Sequence, residues 1–335
     1  MLKKIARIAE RCTQSHEKWQ KSFADIHGEI AERGPRPDTL RFILGNGRSG
    51  TSWFARVMSQ SATPLRYCHE IITYARPAYY FSRTYDYVAC PYRTELADDD
   101  PLVLYYALTT HPDLNWQSFL GARYPRQVRR DDDNFTYALH KEVHALLATE
   151  GLVKKFQCPT IVITRNPLYN IDSLFSYQDI SSIIWRNEAQ YIKDPLFLQN
   201  YFPDNGDKII EQLEKHPDNG FNRHDVLVSK TITVAVINAM LRQLGDRSPW
   251  VSHVAYERLC DNPLDIFHEC AVFLGLRFDD QTRTLLAETM MKQDDRLDPM
   301  SVHRDTKMQQ SRPFRFLTPE EARVLQSILE YTGLF

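Results

Sequence analysis

A three-layer α/β fold, with a mostly parallel sheet of about five strands flanked by helices, is predicted by three observations. Short apolar runs alternate along the chain with helical patterns, which implies a parallel sheet covered on both faces. The first apolar run feeds a glycine-rich loop that opens a helix, the start of a βαβ unit. A later apolar run, Thr160 to Thr164, stops at Arg165-Asn166-Pro167, a strand-to-helix corner.

The elements follow in order. Residues 1–34 read as one N-terminal amphipathic helix, because Leu2, Ile5, Ala9, Cys12, His16, Trp19, Phe23, Ile26 and Ile30 recur at steps of three or four. Gly34-Pro35-Arg36-Pro37 ends it. This helix is expected to pack on the main domain, with a homo-oligomer contact through it as the alternative. Residues 35–335 form a single α/β domain. Its strands are expected at Leu40 to Leu44, Leu65 to Cys68, Phe135 to Leu139, Thr160 to Thr164 and Trp250 to Tyr256. Helices are expected over 51–60, 168–178, 207–215, 225–244, 263–274 and 318–331, the last with Thr318 as N-cap and Pro319 at its first position. Residues 74–133 are weakly periodic and rich in tyrosine and read as an insertion of short helices and loops.

Composition excludes several classes. With 41 Lys+Arg against 43 Asp+Glu, the net charge of −2 speaks against a nucleic-acid binder. No apolar run reaches the roughly 18 residues of a transmembrane segment, and Arg7, Glu10 and Arg11 interrupt any secretory leader. The six cysteines form no C-x-x-C pair, so reduced thiols, a cytoplasmic location and no zinc site are expected.

The chain has only 12 glycines, and three of them fall in Gly45-Asn46-Gly47-Arg48-Ser49-Gly50. With Thr51 and Ser52 this nearly matches the P-loop spacing, so the fold is expected to be P-loop-like. Such a loop turns tightly and aims backbone N–H groups at a phosphate, and the helix N-terminus adds positive charge. The lysine that would reach the outer phosphates of ATP is replaced by Thr51, while Arg48 supplies a cation three residues earlier. The acid expected at the end of a later strand is also missing, since 160–164 leads into Arg165. The loop therefore reads as an anion site without triphosphate or metal. A kinase-like phosphotransferase and a non-catalytic nucleotide-binding protein remain the alternatives. The near miss to a G-x-S-x-G elbow has its second glycine one place early.

Arg165 sits where a strand's carboxyl end meets a helix, and Ser173 follows eight residues later. Together they suit a second phosphate.

Gly47-Arg48-Ser49-Gly50-Thr51-Ser52-Trp53, followed by Arg165-Asn166-Pro167 with Ser173, resembles the PAPS-dependent sulfotransferases. Val254-Ala255-Tyr256-Glu257-Arg258-Leu259 with Asn262-Pro263 is similar to that family's strand-to-helix segment. The resemblance covers roughly residues 40–275. It implies transfer of a sulfonate from 3′-phosphoadenosine 5′-phosphosulfate (PAPS) to a hydroxyl acceptor, leaving 3′,5′-ADP, with no metal. Gly47, Ser49, Gly50, Thr51 and Ser52 would then line the 5′-phosphate, with Arg48 on the bridging oxygen. Trp53 would stack on adenine, and Arg165 and Ser173 would hold the 3′-phosphate. Arg48 in place of Lys looks closer to the carbohydrate-type and bacterial branches than to the cytosolic one. The family's C-terminal basic loop is poorly matched, and His303, Arg304, Lys307 and Arg312 lie in its region.

Sulfonate transfer to an alcohol needs a base for the acceptor proton. Glu70 after the second strand fits the branch that Arg48 suggests, and partial burial is expected to raise its pKa toward a useful range. His69 and His140 are the alternatives, with Lys141 assisting the sulfonate oxygens. His140 and His144 stand four apart but lack the Glu of H-E-x-x-H, so no metal pair is expected. The acceptor class, whether carbohydrate, lipid or small molecule, is open at this level.

Overall fold

The computed structural model describes residues 28, 32–33, 36–70, 91–111, 134–175, 188–218, 222–291 and 313–335. Most of the N-terminal helix expected over 1–34, most of the 74–133 insertion, and His303, Arg304, Lys307 and Arg312 lie outside the described residues. The strands are β1 (Leu40–Leu44), β2 (Leu65–His69), β3 (Tyr137–Glu142), β4 (Thr160–Thr164) and β5 (Val251–Ala255). The helices are α1 (Thr51–Met58), α2 (Pro101–Leu108), α3 (Thr149–Phe156), α4 (Pro167–Phe175), α5 (Glu188–Tyr191), α6 (Pro195–Tyr201), α7 (Gly206–Lys215), α8 (Arg223–Arg247), α9 (Tyr256–Asp261), α10 (Pro263–Leu274), α11 (Asp280–Met291) and α12 (Pro319–Tyr331).

The five strands form one sheet in the order β2-β3-β1-β4-β5, and all four pairings are parallel. β1 and β4 are mostly apolar and buried along their length, Arg41, Thr160 and Thr164 included, as strands covered on both faces must be. Alternation sends Ile43, Leu139, Ile161 and Ile163 to one face, where α1, α10 and α11 pack. Phe54 and Phe267 meet there at 4.8 Å between ring centroids, both fully buried. Each such side chain contributes roughly 1.5–3 kcal/mol. Phe42, Leu44, Ala138 and Val162 face the opposite core with α2, α3, α4, α6, α8 and α12. The strands thus form the middle layer of three.

The ends of the helices follow their sequence signals. Asp100 and Asp194 each cap a helix whose first residue is proline. Thr318 and Glu321 form a reciprocal capping box ahead of α12.

Two boundaries differ from expectation for a physical reason. β3 runs two to three residues later than the apolar run suggests, because His140, Lys141 and Glu142 pair with β1 and are buried despite their polarity. Phe135 instead stacks beneath the Arg66 guanidinium at 4.0 Å, ahead of the strand. α8 extends to 25 residues and holds an 18-residue stretch apolar enough to cross a membrane, where no such stretch was expected. It is a core helix, packed against α4, α7, α12, β4 and β5, and its Lys230 is neutralised by buried Asp218 at 2.5 Å. Ser229, Lys230, Thr231, Thr233 and Asn238 hide it from a run-length reading but are buried with the apolar residues.

Candidate active site

The carboxyl ends of the strands bring the sequence-predicted residues to one edge of the sheet. Taken across it, the order is Glu70 after β2, Lys141 near the end of β3, the glycine loop after β1, Arg165 after β4 and Tyr256 after β5. This is the edge where open α/β sheets hold ligands.

The loop between β1 and α1 needs its glycines. A Cβ at Gly45 would collide with the Ile163 carbonyl oxygen of neighbouring β4. Gly50 sits at φ 93° as N-cap of α1, and a Cβ there would collide with the Tyr256 ring. The Ser49 N–H is bonded to the Asn46 carbonyl at 3.1 Å, whereas its fully buried hydroxyl has no hydrogen-bond partner in the protein. An unsatisfied buried hydroxyl costs about 1–3 kcal/mol, and an anion in the loop would relieve it. The glycine cradle and the orphaned Ser49 hydroxyl both fit a phosphate. Thr51 is buried in the first turn of α1, and Gly47 and Ser52 are half-buried beside it. Asn46 ties the loop to α8 by donating to Asn238 Oδ1 at 2.8 Å, and Asn238 donates to the Arg165 carbonyl at 2.7 Å.

The two anion motifs touch. Arg48 Nε donates to Ser173 Oγ on α4 at 3.1 Å, and the Arg165 guanidinium donates to the Arg48 carbonyl at 3.1 Å. The third motif completes the junction. The Arg165 guanidinium lies over the Tyr256 ring at 4.6 Å, the ring that also abuts Gly50. Glu257 accepts from the Asn166 N–H at 2.9 Å and fixes the Arg165-Asn166-Pro167 corner. Gly50→Ala is therefore expected to remove about 1–3 kcal/mol of stability and to displace Tyr256 from Arg165. Chemical denaturation with tyrosine fluorescence checks this.

Trp53 is placed differently from an exposed stacking platform. Its indole N–H donates to Thr289 at 3.0 Å, its ring packs edge-on against Phe267 at 5.1 Å, and it is 8% exposed. Helix packing accounts for this side chain, since its register on α1 points it into the core.

The base region is built by β2 and β3. The Glu70 N–H donates to the Lys141 carbonyl at 2.7 Å, and Glu70 adopts a left-handed backbone at φ 46°. Arg48, at φ 71°, is left-handed too, so two of the three non-glycine residues with positive φ among the described residues are candidate site residues. Such conformations are costly and concentrate at functional sites. The Lys141 ammonium is buried and ion-paired with Glu70 Oε1. Burial pushes the Glu70 carboxyl pKa up, but Lys141, His69 and His144 outweigh it and hold it down at about 2. This corrects the expectation that burial alone would raise it, because the sequence does not show that β3 delivers an ammonium 71 residues away.

His69 lies 3.6 Å from Glu70 Oε1 through Nε2, and its Nδ1 shares a hydrogen bond with Tyr67 Oη at 2.8 Å. Burial and Lys141 hold its pKa down at about 4, so it is neutral near pH 7. The carboxylate beside Nε2 favours the proton there, which leaves Nδ1 to accept from Tyr67. Neither nitrogen then offers a lone pair to an acceptor substrate. His140 lies on the opposite face of β3 from Lys141, fully buried between Phe42 and Tyr106, with Nε2 in contact with Thr109 Oγ1 at 2.8 Å. It is therefore placed away from Glu70 and Lys141. His144 was weighed in the sequence only as a metal partner of His140. Two residues beyond β3 it lies close enough to act on the Glu70 charge. The signal for it was its position just after a central strand that ends in Lys141-Glu142.

Buried neutral histidines make stability depend on pH. Burial lowers His140 to about 3 and His69 to about 4, against 6.5 when unfolded. Below pH 6.5 the unfolded chain binds more protons at both, so stability is full above that value and falls as pH drops toward 4. Each histidine contributes up to about 1.4 kcal/mol per pH unit in that window. Denaturant titrations at pH 7, 6 and 5 are expected to show this slope, reduced by about one proton in His140→Gln.

No group of three or more His, Cys, Asp or Glu placed to hold a metal occurs among the described residues. No family model matches the chain, and no curated protein matches it. Among solved structures, the chain is similar to mouse sulfotransferase SULT7A1 complexed with PAP, at 16% identity and TM-score 0.39 over 91% of this chain and 88% of that one. It is also similar to a sulfotransferase from Alicyclobacillus acidocaldarius, at 13% identity and TM-score 0.32 over 76% of this chain and 90% of that one.

Proposed function

We propose that this protein is a sulfotransferase that moves a sulfonate from PAPS to a hydroxyl acceptor and releases 3′,5′-ADP. The observation that carries the reading is the contact between the two anion motifs, in which Arg48 reaches Ser173 while Arg165 holds the Arg48 carbonyl. One nucleotide with anionic groups at both ends of its ribose suits two adjoining cationic sites better than a triphosphate chain does.

PAPS would supply a sulfonate activated as a mixed anhydride with phosphate. The N–H groups of Gly47, Gly50, Thr51 and Ser52, with the Ser49, Thr51 and Ser52 hydroxyls, bind the 5′-phosphate. Arg165 and Ser173 bind the 3′-phosphate. Glu70 takes the acceptor proton as the acceptor oxygen bonds to sulfur. The bond from sulfur to the bridging oxygen breaks, and its electron pair leaves on the 5′-phosphate. Arg48 stabilises the charge that builds on that oxygen, where a fixed cation lowers the barrier most.

The test is acceptor-dependent formation of 3′,5′-ADP from PAPS, run against panels of sugars, phenols and lipid alcohols. Release of 3′,5′-ADP matched by label transfer to one acceptor class supports the reading. Binding of PAPS with no transfer to any panel would argue for a nucleotide-binding protein without turnover.

A further inference from the structure

We propose that Lys141 gates the base: its ammonium holds Glu70 in an ion pair until a sulfonate enters beside the glycine loop, then turns to the sulfonate oxygens and frees the carboxylate to accept the proton. The inference rests on the sulfonate-transfer reading above and deepens it by making the base answer to the donor.

Geometry places Lys141 between the two tasks. Its Cα pairs with Ile43 on β1, two residues before Gly45, so its stem rises beside the loop. Its backbone carbonyl holds the Glu70 N–H, so the Glu70 backbone stays in place when the ammonium changes partner. The Lys141 side chain is 2% exposed and its Nζ is bonded to Glu70. The two arginines have other tasks on that reading, Arg48 at the bridging oxygen and Arg165 at the 3′-phosphate, and the contacts that place them are with Ser173 and with the Arg48 carbonyl. A lysine has a flexible four-carbon stem and a compact charge with three donors, so it can exchange one anion for another where a planar guanidinium fork cannot.

The charged groups facing Glu70 are Lys141 from β3, His69 from its own strand and His144 from the turn after β3. His69 is held neutral, as argued above, and the Lys141 ammonium is the group ion-paired with the carboxylate. A carboxylate so paired is a poor base, because proton transfer is most effective when the base's pKa lies near the working pH. Glu70 at about 2 is far from it. Withdrawing the ammonium leaves burial as the dominant influence, which raises a carboxyl pKa. An acceptor that arrives without donor therefore meets a carboxylate with little pull on its proton.

The test follows the Glu70 carboxyl by carbon-13 NMR in protein labelled at glutamate, with Glu70→Gln to assign the signal. In the free protein no Glu70 titration is expected above pH 4. Saturating 3′,5′-ADP plus inorganic sulfate is expected to raise its midpoint by at least about one pH unit, a tenfold gain in proton affinity, and 3′,5′-ADP alone is not. Lys141→Met should raise the midpoint without ligand and abolish the response to sulfate, and Lys141→Arg should keep the free midpoint low but blunt the response. Thermal stabilisation is read in the same samples. No stabilisation by 3′,5′-ADP overturns the sulfotransferase reading and the gate with it. Stabilisation by 3′,5′-ADP while sulfate adds none, or adds it without moving the Glu70 midpoint, overturns the gate alone. The wild-type comparison decides the matter even where Lys141→Met fails to fold.

Discussion

Glu70→Gln is expected to lower kcat by about 10²–10⁴-fold, the range of a lost general base, while 3′,5′-ADP binds as it does to the wild type. The amide keeps the shape of the carboxylate and an oxygen that can accept from Lys141, so the buried ammonium is not stranded. What it loses is the capacity to take a proton at neutral pH. The choice of Glu70 rests on placement. It follows β2 at the carboxyl edge, its left-handed backbone is fixed by the Lys141 carbonyl, and its rivals are engaged elsewhere. His69 is bonded to Tyr67, and His140 is buried on the other face of β3. The check is single-turnover transfer from labelled PAPS beside a nucleotide titration. Turnover retained within threefold would move the base to His144, the remaining ionisable neighbour.

Arg48→Ala is expected to lower kcat by about 10²–10³-fold and to change the Kd of 3′,5′-ADP far less. Two features separate its effects. The Arg48 side chain reaches Ser173 across the loop, where the bridging oxygen of a bound donor would lie on this reading. Its contact with Arg165 is made by the backbone carbonyl, which alanine retains. The loop and the second anion site should therefore persist while the cation at the reacting oxygen is lost. Equal losses in kcat and in nucleotide affinity would show that Arg48 binds the ground state and the transition state alike.

Much of the fold was legible because local signals agreed with the tertiary structure. β1 and β4 read as short apolar runs, α1 followed its loop, and α12 announced itself through Thr318 and Pro319. Two of the misreadings share a cause, polar residues buried by long-range pairing. β3 carries His140, Lys141 and Glu142 into the sheet, and α8 buries Lys230 by pairing it with Asp218. The short helices α3 and α6, packed in the larger core, were not anticipated, since one or two turns leave little periodicity to read. In the site, the glycine loop and the Arg165 corner were visible as strand-to-helix turns from residue type and spacing. The junction between them was not, because Tyr256 and Glu257 reach Gly50, Arg165 and Asn166 only through the order of the strands. The state of Glu70 was likewise out of reach, since burial acts in one direction and a distant lysine in the other.

The central claim, that one nucleotide spans the loop and the Arg165 corner, is tested most directly by thermal stabilisation with 3′,5′-ADP or ATP·Mg²⁺, in the wild type and in Arg165→Ala. A ligand at about 100 times its Kd adds about 2.7 kcal/mol, a readily measured rise in Tm. Stabilisation of the wild type by 3′,5′-ADP, lost in Arg165→Ala, is the predicted result. Stabilisation by ATP·Mg²⁺ alone, indifferent to Arg165, would contradict it and mark the loop as a triphosphate site.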